Sequence, residues 1–200
     1  MGDGVTRASY YASCFTENYQ DVCSKLKHED VRFIAGVIQL IKDRNVIFEM
    51  IRIYIEIHFK NKNEGRAQHI LRQLVSSGVH ISSTGLTNRL LIIAIATAIC
   101  RSYSFNAIIN ERINRTKSIV LKGSVTLTAV TLNFYGLVQE AANCADTLKK
   151  FNAFYYSALY ERNLEMMYFL IEPVITRSTY LNPMLISDDE LVHLIIKLMR

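Results

Sequence analysis

The sequence predicts an all-α protein: a single helical bundle of about seven helices around a central apolar helical hairpin, in one domain over residues 1–200. Three observations lead there. Apolar residues recur at steps of three and four along most of the chain, which is the period of a helix with one buried face. Start and stop signals sit where those stretches begin and end: Asn152 and Ser187 precede apolar-periodic runs, and Gly78 follows one. Two runs are almost uncharged, Leu90–Cys100 (LLIIAIATAIC) and Gly123–Val138, and a chain with half its residues hydrophobic and only two prolines has the material to bury both. The alternative is an α+β chain with strands near 51–59 and 123–134. There, Ile51, Ile53, Ile55, Ile57 and Phe59 alternate with polar or aromatic neighbours, and the second run is rich in Thr and Val.

Taken in order, Tyr11, Phe15, Tyr19, Val22 and Leu26 predict a first helix over 9–27. Asp30 reads as the cap of a second helix from Val31, with Phe33, Ile34, Val37, Ile38 and Ile41 on its apolar face. Lys42-Asp43-Arg44-Asn45 interrupts the pattern. Ile47, Ile51, Tyr54, Ile55 and His58 also form a helical stripe with no turn signal before them, so helix is preferred over strand for 51–59. Asn61–Gly65 reads as a polar turn. A helix over Arg66–Ser77 follows, with Gly78 placed to close it in the left-handed conformation that glycine tolerates. Ser82–Gly85 reads as a loop, and Thr84 or Thr87 caps the helix that holds Leu90–Cys100. Within that helix Ile93, Ala94 and Ala98 are the positions expected to be almost fully buried, because small residues four apart allow close helix approach. Helical spacing continues through Phe105, Ile108, Ile109 and Ile113, and the second arm extends as a long helix to about Lys150. Asn152 caps the next helix, which Pro173 is expected to end because the residue before proline avoids the helical region. Ser187-Asp188-Asp189-Glu190 has the form of a capping box for a last helix over Leu191–Met199.

Charge is unevenly placed. The net charge is +5, but residues 65–139 hold eight Lys/Arg against one acid, Glu111. The basic field therefore coincides with the two apolar arms. It favours an anionic partner by Coulomb attraction, either an acidic protein or an anionic membrane. The predicted contact residues are Arg112, Arg115, Lys117 and Lys122 in the connector between the arms. To these are added Tyr155, Tyr156 and Tyr160 from a dense Phe/Tyr cluster, where a tyrosine offers apolar area with a polar tip. Nucleic acid is the disfavoured partner: the connector has few aromatics near its basic groups and no recognisable reading module.

Neither apolar arm is a membrane span. Leu90–Cys100 is too short for the roughly 20 residues required, and its extension brings in Arg101. The layout, two apolar arms around a cationic connector, is similar to the hydrophobic hairpins of pore-forming toxins, though shorter and more polar. The five histidines and four cysteines lack metal-ligand spacing, and no phosphate-binding glycine loop, dinucleotide fingerprint or nucleophile elbow is present. No catalytic residue, metal or cofactor is therefore assigned. Cys14, Cys23, Cys100 and Cys144 form no C-x-x-C pair, and Cys100 and Cys144 read as free thiols among apolar neighbours, as in a reducing compartment. The N-terminus has no apolar core of a secretory signal, so synthesis in the cytoplasm is expected, with any export by a signal-independent route.

The function expected is a non-enzymatic effector or toxin-like protein of bacterial type, acting on a partner or an anionic membrane through its basic, apolar middle. The alternatives are a cytosolic protein-binding protein that neutralises or carries another chain through a tyrosine-rich surface, and an enzyme with a dispersed site.

Overall fold

The computed structural model describes residues 2–14, 20–42, 45–81, 86–121, 127–176 and 185–200. These form ten α-helices: α1 Gly2–Ser13, α2 Gln20–Lys42, α3 Val46–Phe59, α4 Glu64–Ser76, α5 Asn88–Arg101, α6 Tyr103–Leu121, α7 Leu127–Phe151, α8 Ala153–Tyr160, α9 Glu172–Thr176 and α10 Asp188–Met199. A 3₁₀ helix, Glu165–Leu170, lies between α8 and α9. No strand occurs among the described residues. The protein is all-α, as the periodicity predicts.

Residues 51–59 are helical because α3 is apolar almost all round. Met50, Ile51, Ile53, Tyr54, Ile55, His58 and Phe59 are all buried. Only a narrow strip stays polar, Glu49, Arg52 and Glu56, spaced three and four apart and ion-paired along the helix; with apolar residues on the remaining sides, the sequence imitates strand alternation. Of the second run, 127–134 is helical at the start of α7, and 123–126 lie outside the described residues.

Capping follows local chemistry. Thr87, Asn152 and Ser187 each accept a hydrogen bond from the backbone three residues on, and Ser187 with Glu190 forms the reciprocal capping box. Asn63 does the same for α4, so that helix begins at Glu64 and Gly65 lies inside it rather than in the preceding turn. At the end of α4, Val79 N–H reaches Leu74 C=O and Gly78 N–H reaches Val75 C=O, a Schellman closure with Gly78 at φ 88°.

Four expectations are corrected. Asp30 caps nothing: α2 runs through it from Gln20, and the Asp30 carboxylate instead accepts from Arg7 at 2.7 Å and from the Tyr11 hydroxyl. The helix predicted over 9–27 is divided between α1 and α2, with Phe15 and Tyr19 outside the described residues. Pro173 does not end the helix after Asn152. That helix stops at Tyr160 through Asn163, which takes a left-handed φ of 56° while Leu164 N–H closes on Leu159 C=O, and Pro173 instead lies in the first turn of α9. On α5 the fully buried positions are Leu91, Ile95, Ala96 and Ile99; Ala94 and Ala98 are half-buried and Ile93 is 36% exposed.

The core is one contiguous cluster running from Phe33 to Leu198. α5 packs on α3, and α10 closes over α4 and α5. α7 packs on α1 and the 3₁₀ helix, and α6 touches both α5 and α7. α1 and α7 cross closely at Gly4, where a Cβ would run into the backbone of Leu132. Next to that crossing, Arg7 is fully buried and donates to Glu29 (2.9 Å), Asp30 (2.7 Å), Gln139 (3.2 Å) and the Leu26 carbonyl (3.1 Å). It ties α1, α2 and α7 together. A disulfide between Cys14 and Cys23 fastens the end of α1 to the start of α2, while Cys100 and Cys144 are free. The outer face of α2 carries Val31, Ile34, Ile38 and Ile41 exposed in a row, opposite the buried Phe33, Val37 and Leu40. The predicted apolar face is thus split between inside and outside.

Candidate functional site

The basic residues of the central segment have different tasks. Arg112 is largely consumed by the fold: its guanidinium donates to the Phe169 carbonyl at 2.5 Å and lies 3.6 Å from Glu140. Arg115, 63% exposed, stands 3.7 Å from the same carboxylate, at the loose limit of an ion pair. Lys117 is half-buried and forms no ion pair among the described residues. Lys122 lies outside them.

Lys117 stands at one end of a groove of about 520 Å³ between α6 and the α2–α3 corner. Two rows on α6 build one side of it. Phe105, Ile109 and Ile113, spaced four apart, give an apolar floor, and Asn106, Asn110 and Asn114, one position on, give a parallel polar edge. The facing wall is Leu40, Ile47 and Phe48, and Cys100 closes the end away from Lys117. Asn106 Nδ2 donates to the Cys100 carbonyl at 2.7 Å, which fixes that carboxamide. Asn110 and Asn114 are exposed and form no hydrogen bond among the described residues. Burial pushes the Cys100 thiol up to about 12, so it remains a neutral thiol near pH 7. Cys144, half-buried, is likewise raised to about 12, by its partial burial first and then by the nearby carboxylates Glu172 and Glu140.

The tyrosine cluster separates into core and surface. Tyr155 is fully buried, its hydroxyl donating to the Met50 carbonyl at 2.8 Å and its ring edge-on to Tyr54 and Tyr168. It is a core residue and no contact residue; burial raises its hydroxyl well above the ordinary tyrosine value. Tyr156 and Tyr160 stay at the surface as a stacked pair with centroids 5.7 Å apart. Their faces are already covered, Tyr160 by the Arg32 guanidinium at 3.7 Å and Tyr156 by Lys149 at 5.6 Å. Beneath them Arg32 grips the buried Glu165 through Nε and Nη2, the latter at 2.7 Å. Lys25 pairs with Asp146 at 3.0 Å, and His28 meets the Tyr160 hydroxyl at 3.2 Å.

The Asn row was legible in principle: it repeats every fourth residue beside an apolar row of the same period. The buried ion pairs of Arg7 and Arg32 had no local signal, since their partners lie 22 or more residues away.

A third feature is the outer edge of α5. Arg89, Leu90, Ile93, Arg101 and, just beyond the helix, Tyr103 are exposed, Tyr103 to 89%. Among the described residues no single helix is long and apolar enough to cross a membrane. The pair Asn88–Arg101 and Tyr103–Val120, bent by 71°, meets that length and composition only when taken together. No group of three His, Cys, Asp or Glu suited to a metal is found among the described residues.

Compared with models of known protein families, with curated proteins and with solved structures, the chain matches none.

Proposed function

We propose that the protein is a non-enzymatic effector that engages an acidic protein partner through its basic central segment, with the α6 groove as the contact surface. One observation carries this reading. The groove joins an apolar floor to polar ends, those of Asn110, Asn114 and Lys117, that no other described residue engages. A concave apolar site with a few convergent polar groups is the usual form of a binding site. Lys117, which lines the groove, has the sign an acidic partner needs. The tyrosine surface is the weaker candidate because its own cations already occupy it. The Cys14–Cys23 bridge supports a destination more oxidising than the cytosol, in keeping with an exported effector.

A second reading, docking on an anionic membrane, is favoured by the exposed α5 edge. Leu90, Ile93 and Tyr103 are the residue types that enter an interface, and Arg89 and Arg101 flank them.

The test is a fluorescence-anisotropy screen of acidic, neutral and basic peptides, run beside vesicles with and without anionic lipid, at low and physiological salt. Binding of acidic peptides that weakens with salt and is lost in Arg115→Glu/Lys117→Glu is the expected result. Binding to anionic vesicles alone transfers the function to the α5 edge. No binding to either eliminates both readings.

A further inference from the structure

From the geometry of the α6 groove we infer its ligand: an extended peptide segment, held by its main chain on the asparagine row, with a carboxylate at the Lys117 end. This rests on the partner-binding reading and specifies the shape and chemistry of what is bound.

The argument begins with spacing. Residues four apart on a helix rise about 6.0 Å. In an extended strand every second peptide unit faces the same side, and two residues advance about 6.6 Å. Asn106, Asn110 and Asn114 therefore step along the groove almost in register with the like-facing peptide units of an extended chain. A carboxamide is suited to that task, because it offers both a donor and an acceptor and can engage the N–H and C=O of one residue together. Asn106 already donates to the Cys100 carbonyl, which leaves its Oδ1 as an acceptor for an incoming N–H. Among the described residues, Asn110 and Asn114 have both functions free.

Alternation sets the side chains. When one face of an extended chain meets the asparagine edge, its side chains divide between the groove and solvent. Those entering meet the half-buried Ile113 on one side and Phe48 on the other, over a floor of Phe105, Ile109, Leu40 and Ile47 that the core already buries, so small apolar residues fit there. From Asn106 to Lys117 is about 16 Å along the helix axis, the length of about five extended residues. Among the described lining residues the ammonium stands at one end only, which makes the groove directional. A Glu, Asp or chain-terminal carboxylate at the Lys117 end gains a charge-assisted bond, and the same group at the Cys100 end does not. A helical ligand fits less well. Its main chain is bonded internally and has nothing to offer the asparagines.

The probe is a labelled peptide of about seven residues with alternating apolar positions and one terminal Glu. It is compared with its reversed-charge-position isomer, with a version N-methylated at the peptide units facing the row, and with a helix-favouring peptide of the same composition. Wild type should prefer the first. Asn110→Ala and Asn114→Ala should each weaken binding about 3- to 10-fold, with thermal melting unchanged because both side chains are exposed. Lys117→Gln should abolish the preference between the two charge isomers. The inference is overturned if acidic peptides bind but N-methylation and both asparagine substitutions are without effect, or if the helix-favouring peptide binds best. Partner binding itself then survives. If no acidic peptide binds in any form, the partner-binding reading falls along with the inference.

Discussion

Removing Arg32 should be among the most costly single substitutions on this surface. The Glu165 side chain is 3% exposed and Arg32 12% exposed, so the pair is screened from water on nearly every side. Arg32 holds both carboxylate oxygens, donates to the Tyr160 carbonyl at 2.7 Å and lies over the Tyr160 ring at 3.7 Å. Arg32→Met leaves the Glu165 carboxylate buried without a partner, which costs about 3–5 kcal/mol. Loss of the cation–π contact falls within that figure, at about 1 kcal/mol. Glu165→Leu costs less, because the freed guanidinium keeps its carbonyl bond, and its residual exposure gives it water. The double variant Arg32→Met/Glu165→Leu should recover most of the loss, since two apolar groups replace two charges. Urea unfolding reads these differences directly. With a slope of about 2 kcal/mol per molar, Arg32→Met lowers the midpoint by roughly 2 M. A loss below about 1 kcal/mol for Arg32→Met, with no recovery in the double variant, would mean that Glu165 is not isolated from solvent and would refute the reasoning.

Three further outcomes are expected. Ala96→Arg should destabilise by several kcal/mol because Ala96 is fully enclosed, whereas Ala94→Arg on the half-buried flank of the same helix should cost much less; comparing the two melting curves checks the face assignment of α5. Reduction of Cys14–Cys23, nine residues apart, should cost about 2–3 kcal/mol by freeing the unfolded chain, and scanning calorimetry with and without reductant should show the melting temperature fall by roughly 5–10 °C. His58 is buried, with Nδ1 bonded to the Tyr54 carbonyl at 2.8 Å, and burial holds its pKa below the ordinary value. The unfolded chain therefore takes up a proton near pH 6.5 that the folded chain refuses, so stability falls on acidification below that pH at up to about 1.4 kcal/mol per unit, and His58→Leu should flatten the slope.

The sequence shows most of the helices and several of their ends, for a physical reason. Periodicity and caps are encoded within four residues, and Thr87, Asn152, Ser187 and Gly78 act through the backbone beside them. What it conceals depends on distant contacts or on missing contrast. Asp30 resembles a cap because it precedes an apolar run, yet Arg7, 23 positions earlier, claims its carboxylate. On α5 the run LLIIAIATAIC has only Thr97 as a polar mark of the outside, so the helix is legible but its phase rests on one weak signal, Thr97 in line with Arg89, Ile93 and Arg101 at four-residue spacing. Ile93 turned outward and Ala96 inward without changing the pattern. The same lack of contrast joined both faces of α2 into one predicted stripe. At Asn163 a signal was present, an asparagine able to take a left-handed φ, but aromatic periodicity continuing beyond it concealed the end of α8. Among the site residues, charge singled out the segment that holds Arg112, Arg115 and Lys117. Which of its cations remain available was decided by acceptors elsewhere in the chain, the Phe169 carbonyl and Glu140.

On the proposed reading, that division of labour positions the groove. Arg112 spends its donors on the Phe169 carbonyl and Glu140, and so secures α6 against the 3₁₀ helix and α7. The side of α6 that carries Asn106, Asn110, Asn114 and Lys117 is thereby held at a fixed distance from Leu40, Ile47 and Phe48, which are anchored in the core or packed against it. With the helix backbone held and the Asn106 carboxamide fixed on the Cys100 carbonyl, only the Asn110 and Asn114 side chains lose freedom when a ligand arrives, which limits the ordering cost of binding. If Arg112 positions the row in this way, Arg112→Met should weaken binding of the extended acidic peptide although Arg112 does not line the groove. Asn110→Ala should weaken it with no change in stability, whereas Arg112→Met should lower the melting temperature as well. Peptide affinity unchanged in an Arg112→Met protein of lowered stability would show that the groove holds its shape without that clamp.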